Sequence, residues 1–227
     1  MENKPTDFCG LSLRFHPDVY EPSDDSELMV EAARKFAFGK VLDLGCATGV
    51  FGIACAQRKE VSSVVCADLN PSAVEIARKN AALNGVEKKM SFAQTDLFSA
   101  FEKGAKNELF DVIGFNPPYL PTTPAERVHG TLNLAFDGGK SGRKITDLFL
   151  KSFDRHLAQG GVLILLQSSL SGIGKTIAIL EKKGFEVEKL PSKKFFFEEI
   201  CVLVARKVSE PENASPEKKK RHGPAGI

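Results

Sequence analysis

The sequence predicts an α/β domain in which helices cover both faces of a doubly wound, mostly parallel sheet of seven strands. Three observations carry this. From residue 40 onward, short apolar runs alternate with helix-like segments, the pattern of parallel strands joined by crossover helices. A glycine-rich turn follows the first run, where open α/β sheets place their ligands. The last two runs are separated by only about nine residues, too few for a usual parallel crossover, so the final strand should lie antiparallel to its neighbour.

Taken in order, residues 24–38 read as a helix ahead of the sheet, with Leu28, Ala32 and Phe36 on one stripe and Gly39 as its stop. Residues 41–44 form a short buried strand, and residues 49–58 the helix after it. The second strand, 61–67, ends at Asp68. Asn70-Pro71 starts a helix, a cap followed by proline at the first helical position, and Asn84-Gly85 stops it. Residues 89–95 are the third strand and residues 110–115 the fourth. The Pro/Gly-rich connection over 117–142 has a length that usually serves function in a compact domain. A helix over 144–157 and the pair Gly160-Gly161 lead into the fifth strand at 162–167. Residues 173–183 are helical and closed by Gly184, and strands at 185–190 and 200–205 complete the sheet.

A chain of 227 residues holds one such domain with a full core. We place an N-terminal segment at 1–18, the domain at 19–207 and a disordered basic tail at 208–227, where Lys218-Lys219-Lys220-Arg221 sits among residues too polar to pack. Residues 206–227 carry six Lys/Arg against three Glu, while the whole chain is +2, so residues 1–205 net −1. A folded body at −1 has no global electrostatic reason to hold nucleic acid. No apolar run approaches the roughly 20 residues of a membrane span, and the N-terminus lacks the apolar core of a signal peptide. The five cysteines form no Cys-x-x-Cys pair, so reduced thiols, a cytoplasmic location and no metal site are expected.

The candidate site is read from the strand ends. The turn Asp43-x-Gly45-x-x-x-Gly49 differs from the Gly-x-Gly-x-x-Gly of dinucleotide binders, and its carboxylate suits a cationic or zwitterionic ligand. By itself a plain strand-to-helix turn explains it equally well. Asp68 ends the second strand 19 residues after Gly49, where an acid can accept both hydroxyls of a ribose. Asp96 ends the third strand, placed to accept from an adenine amino group with Leu97 against the ring. Asn116 ends the fourth, held by the two prolines that follow it. One acid at a strand end is often only a helix cap. Four polar residues finishing four successive strands line one rim.

This constellation resembles the class I S-adenosylmethionine-dependent methyltransferases over roughly residues 19–205. The resemblance implies a Rossmann-like sheet and S-adenosylmethionine as cofactor, held by Asp43, Gly45, Thr48, Gly49, Asp68, Leu69, Asp96, Leu97 and Asn116. The family often has another glycine where this chain has Ala47, a change expected to be tolerated because no phosphate approaches the backbone. Asn-Pro-Pro-Tyr, residues 116–119, resembles the motif of amino-methyltransferases acting on adenine, cytosine and protein glutamine. A planar –NH₂ is a poor nucleophile because its lone pair is conjugated. Two acceptors on its N–H bonds, the Asn116 oxygen and the Pro117 carbonyl, favour a more tetrahedral nitrogen, and Tyr119 can pack on the planar group.

Two further stretches narrow the substrate. "VYEPSDDSELM", residues 19–29, resembles the entry segment of the HemK-type release-factor glutamine methyltransferases, closest to their compact eukaryotic and archaeal branch. By that resemblance Tyr20, Pro22 and Ser26 border the cofactor; locally, Ser23 can cap the helix while Asp24, Asp25 and Glu27 favour its N-terminal dipole. "FDGGKSGRKITDLFL" resembles the family's Gly-Gly-x-x-Gly-Arg run, with Phe136 where Trp is common. Glu27 stands where a large apolar residue is common. The implied substrate is the glutamine of a Gly-Gly-Gln loop in a class I translation termination factor. Met90 and Phe92 project from one face of the strand at 89–95, a face that on strand patterning can equally well pack on the neighbouring helix. The implied partner is a small zinc-binding activator subunit that adds a strand along residues 89–95. An adenine N6-methyltransferase is the alternative enzyme. The −1 body, the absence of Trp and the lack of room for a target-recognition domain weaken it. Methylation of another protein side chain, or a non-catalytic binding module, would keep the same fold.

Overall fold

The computed structural model describes residues 4–103, 106–122, 132 and 136–207. It opens on a hairpin that the sequence pattern does not announce. Strands β1 (Thr6–Phe8) and β2 (Leu11–Leu13) pair antiparallel around Cys9-Gly10, whose φ values of 53° and 77° suit a two-residue hairpin turn. Leu11 and Leu13 are fully buried in the main core, so the folded unit takes in residues ahead of 19. Three-residue strands are too short for their alternation to stand out from a loop.

The remaining elements are α1 (Asp24–Phe36), β3 (Gly39–Leu44), α2 (Val50–Ala56), β4 (Val61–Asp68), α3 (Pro71–Leu83), β5 (Met90–Gln94), the small pair β6 (Glu102–Lys103) and β7 (Lys106–Asn107), β8 (Phe110–Phe115), α4 (Lys144–Leu150), β9 (Leu157–Ser168), α5 (Ile173–Lys182), β10 (Phe185–Lys189), β11 (Lys193–Lys194) and β12 (Glu199–Lys207). The sheet runs β10-β12-β9-β8-β3-β4-β5, with β11 also on β12. Neighbours from β9 to β5 are parallel, and β12 is antiparallel to both β9 and β10, as expected. Both faces are covered. Val41, Val64, Val112 and Ile164 pack on the α1/α2 side, while Leu42, Val65, Ile113 and Leu163 pack with Phe149 and Phe153 on the other. No helix among the described residues is long and apolar enough to cross a membrane.

One expectation needs correction. The helix expected over 144–157 stops at Leu150, and a 3₁₀ turn over Phe153–Arg155 follows. Phe149 and Phe153 stack at 5.3 Å and both are buried, so the apolar spacing that suggests one long helix is met by two short pieces. The tighter turn lets the His156 carbonyl accept from the Phe110 amide at 2.9 Å, and β9 starts at the next residue. For Met90 and Phe92 the structure takes the helix-packing alternative. They pack against the α1/α2-side core, with the Arg78 guanidinium 4.6 Å above the Phe92 ring. Both side chains are only half-buried, so the open edge of the sheet at β5 presents its backbone together with part of this apolar face. The tail at 208–227 lies outside the described residues.

Helix α3 ties the N-terminal hairpin to the glycine turn. Asn84 Oδ1 accepts from the Ser12 amide at 3.0 Å and its Nδ2 donates to the Ser12 carbonyl at 2.8 Å. Asn80 repeats this on Arg14, at 2.8 and 3.0 Å, and its Nδ2 also donates to the Thr48 carbonyl at 3.0 Å. Asn80 is fully buried, so these bonds satisfy a polar group that would otherwise cost stability.

Candidate functional site

The carboxyl ends of β3, β4, β5 and β8 surround a cavity of about 360 Å³. Tyr20, Pro22, Ser26, Asp43, Gly45, Thr48, Asp68, Leu69, Asp96, Leu97, Asn116, Pro117 and Tyr119 all line it. Gly49 is the one candidate that does not. It precedes α2 with φ 81°, and a Cβ there would lie 2.9 Å from that of Ala77, so it serves close packing of the turn on α3.

At the glycine turn two carboxyls are held by backbone amides. Asp43 is buried, and its Oδ2 accepts from the Gly52 amide at 2.9 Å, with the Cys66 thiol at 3.7 Å. Burial pushes its carboxyl up to about 7, against the Gly52 and Cys66 hydrogen bonds. Asp68 accepts from the Ala47 amide at Oδ2 and the Asn70 amide at Oδ1, both at 2.9 Å. Burial raises its carboxyl too, opposed by those amides. Each Asp68 oxygen keeps a lone pair for a further donor. Asp96 is exposed at the far side, and Leu97 takes φ 46°.

Ala47 shows a constraint different from the expected one. Its φ is 45°, a left-handed conformation in which a Cβ costs about 1–2 kcal/mol. The glycine common here therefore answers to backbone geometry. We expect Ala47→Gly to stabilise the chain by about 1 kcal/mol and raise its melting temperature by about 2–4 °C in thermal denaturation.

The other end of the cavity is organised by Asp25. This residue is 2% exposed. Its Oδ1 accepts from the Tyr20 hydroxyl at 3.0 Å, the Ser23 hydroxyl at 3.1 Å, and the Ser26 amide and hydroxyl at 2.6 and 3.1 Å. Its Oδ2 accepts from Asn116 Nδ2 at 2.9 Å and, more distantly, the Tyr119 hydroxyl at 3.4 Å. A carboxylate only accepts, so Nδ2 must face Asp25 and Oδ1 must face away. Asn116 Oδ1 is buried and has no hydrogen-bond partner. Burial and the Asp25 charge raise both tyrosine hydroxyls, which keeps them protonated as donors.

The prolines do not act alone in fixing this segment. Gly142 has φ 67°, and a Cβ there would meet the Tyr119 carbonyl oxygen at 2.3 Å. The Gly-Gly-x-x-Gly-Arg run thereby lets one turn lie directly on the backbone after Asn116. Arg143 is buried and structural, donating to the Ser171 carbonyl at 2.6 Å and to Asp147. Phe136 lines the cavity edge-to-face with Tyr20 at 5.5 Å. Glu27 forms an ion pair with Lys193. Ser23 precedes α1 but makes no capping bond; its hydroxyl joins Tyr20 and Asp25 instead.

Sequence reasoning missed Asp25 and Glu198 as cavity residues. Asp25 sits in a helix first turn, where an acid already has a local explanation. Its partner Asn116 lies 91 residues away. Glu198 accepts from the Ser168 hydroxyl at 2.6 Å, and no local pattern marked it.

The family described as methyltransferase small domain matches residues 16–130, just over half of the chain. A Methanocaldococcus jannaschii protein, provisionally named a protein N5-glutamine methyltransferase, is 44% identical over 196 residues, 86% of this chain and 95% of that one. The release factor glutamine methyltransferase of Geobacter sulfurreducens is 30% identical over 188 residues, 79% of this chain, which spans 63% of that longer relative. Among solved structures, Mtq2 in the E. cuniculi Mtq2–Trm112 complex, described as responsible for methylation of the eRF1 translation termination factor, matches with TM-score 0.62 and 28% identity. That match covers 84% of this chain and 99% of the other.

Proposed function

The chain belongs to the methyltransferase small domain family and, within it, to the HemK-type release-factor glutamine methyltransferases, and on that premise we propose that it methylates a glutamine side-chain nitrogen. The acceptor is the glutamine of a Gly-Gly-Gln loop in a class I translation termination factor, and the donor is S-adenosylmethionine. The relatives' names support this reading, and one structural observation carries it. Asn116 borders the cavity with Nδ2 committed to Asp25 and Oδ1 buried without a partner. A buried acceptor without a donor costs stability unless a ligand supplies one.

The residues present fit the donor. Bound there, S-adenosylmethionine supplies an electrophilic methyl group on a sulfonium. Asp68 offers one lone pair per oxygen to the ribose hydroxyls, Asp96 accepts from the adenine amine, and Leu69 and Leu97 flank the ring. Asp43 and Ser26 lie toward the charged amino-acid end. Asn116 Oδ1 and the Pro117 carbonyl accept the two N–H groups of the target carboxamide, and Tyr119 packs on its plane. As the new N–C bond forms, the sulfur–methyl bond would break to leave a neutral thioether, and the nitrogen sheds one proton to water. No strong base is required. Mass spectrometry of a class I termination factor incubated with the protein and donor tests the reading. One methyl on the Gly-Gly-Gln glutamine is expected, and an unmodified factor, with its activator present, counts against it.

Two binding results should follow. Asp68→Ala loses charge-assisted hydrogen bonds worth about 1.5–3 kcal/mol each, so titration calorimetry should show cofactor affinity falling roughly a hundredfold. Asp43 brings pH dependence. In the free protein it stays largely protonated below about 7. A cationic ligand favours its ionised form, so affinity should rise as pH rises through 7, with proton release on binding. Asp43→Asn should flatten that profile.

The open edge of β5 takes an added strand from a small zinc-binding activator, making a heterodimer. Pull-down of the activator by the chain supports this; full activity of the chain alone with no such capture argues against it. Phe92→Glu is a poor probe, because that half-buried ring also packs against the core beneath Arg78, so its loss would disturb the fold as well as the edge.

A further inference from the structure

Two phenylalanines that directly precede Glu198, a residue of the cavity wall, stand almost wholly in water. Phe196 is 91% exposed and Phe197 is 83% exposed, far beyond what this residue type usually shows. They occupy the tip of a hairpin. Lys194 of β11 pairs with Glu199 of β12, and the Phe195 amide donates to the Glu198 carbonyl at 2.7 Å, which leaves Phe196 and Phe197 at the centre of the turn. The two rings meet edge-to-face with centroids 4.4 Å apart.

The hairpin is pinned on both sides. Lys193 donates to Asp24 at 2.7 Å and pairs with Glu27, both in the first turn of α1 beside Asp25. On the other side the Ser168 hydroxyl donates to Glu198 at 2.6 Å, and the Glu199 amide donates to Ser169 Oγ at 3.0 Å. Glu198 itself lines the cavity. One short turn therefore contributes a carboxylate to the cavity wall and, from the two preceding residues, an exposed apolar pair beside it.

We propose that the Phe196–Phe197 tip docks the protein that delivers the methyl-accepting glutamine, an inference that rests on the reading of the acceptor as a protein side chain. A cavity of about 360 Å³ is of small-molecule size, so all but the methyl-accepting side chain of a macromolecular acceptor must lie across its rim. There it meets these rings. Aromatic side chains have only two side-chain torsions to fix and supply a large contact area at low entropic cost, and exposed apolar patches of this kind mark protein contacts. The matching surface is an apolar patch next to the acceptor loop. The tip is also remote from β5, which closes the opposite end of the sheet, so the two edges serve different partners.

The double variant Phe196→Ser/Phe197→Ser tests this, since neither ring belongs to the buried core. With the intact termination factor, KM should rise at least tenfold while kcat stays within twofold. With a short Gly-Gly-Gln peptide, which does not reach the tip, kcat/KM should stay within twofold, as should cofactor affinity. Unchanged KM for the intact factor overturns the proposal. So does an equal loss on factor and peptide, which would mean that the tip shapes the cavity, or conversion of a wild-type dimer to a monomer at unchanged KM, which would assign the tip to a second copy. Failure of the wild-type chain to methylate the factor would instead remove the functional reading, and this inference with it.

Discussion

Asn116→Ala should lower kcat for methyl transfer about a hundredfold or more while leaving cofactor affinity within a few-fold. The substitution removes an acceptor whose geometry is set before the substrate arrives, and such preorganised groups are worth about 3 kcal/mol in the transition state. Asn116 Oδ1 has no partner among the described residues, so its loss breaks no bond there at that atom. The Nδ2 bond to Asp25 is lost as well, but Asp25 keeps its Tyr20, Ser23 and Ser26 donors. Single-turnover kinetics with titration calorimetry separates the two quantities. A rate within threefold of wild type would show that the carboxamide does not hold the target nitrogen.

Asp25→Asn should come next in size, with kcat reduced about ten- to a hundredfold and the melting temperature lowered only moderately. Asp25 is a positioning residue. Its acceptor-only carboxylate dictates which end of the Asn116 carboxamide faces the substrate. An amide at position 25 can donate as well as accept, so Asn116 can turn over and present N–H groups to the N–H groups of the target. That arrangement repels. The substitution also sets an –NH₂ against some of the Tyr20, Ser23 and Ser26 donors, which costs about 1–3 kcal/mol of stability. A purely structural role would move the melting temperature and leave kcat of the folded fraction alone. Measuring kcat well below the transition therefore decides between them, and an unchanged kcat would end the positioning argument.

These two residues also mark where a sequence stops being legible. The amino-acid order by itself determined the strand–helix alternation, the antiparallel final strand and the polar residue at each of four successive strand ends. All of these rest on local signals. Apolar periodicity makes a buried strand, Asn70-Pro71 starts a helix, and two prolines after Asn116 end a strand stiffly. A parallel sheet then brings strand ends onto one rim without any further instruction, since Leu44 is in register with both Ala67 and Phe115. Asn116 could be identified because its neighbours in sequence are its restraints.

Only the tertiary structure decided which way the Asn116 carboxamide points, because the group that orients it comes from a helix 91 residues earlier. In sequence, Asp25 is indistinguishable from Asp24, and both suit the start of α1. Burial separates them. Asp25 turns inward and gathers Tyr20, Ser26 and Asn116, whereas Asp24 turns outward and holds Lys193. The same holds for the N-terminal hairpin, whose backbone is satisfied by Asn80 and Asn84 from α3, and for Ala47, whose left-handed φ is set by the turn between β3 and α2. Each depends on groups distant in the chain, and the interaction exists only once packing has brought them within hydrogen-bonding range.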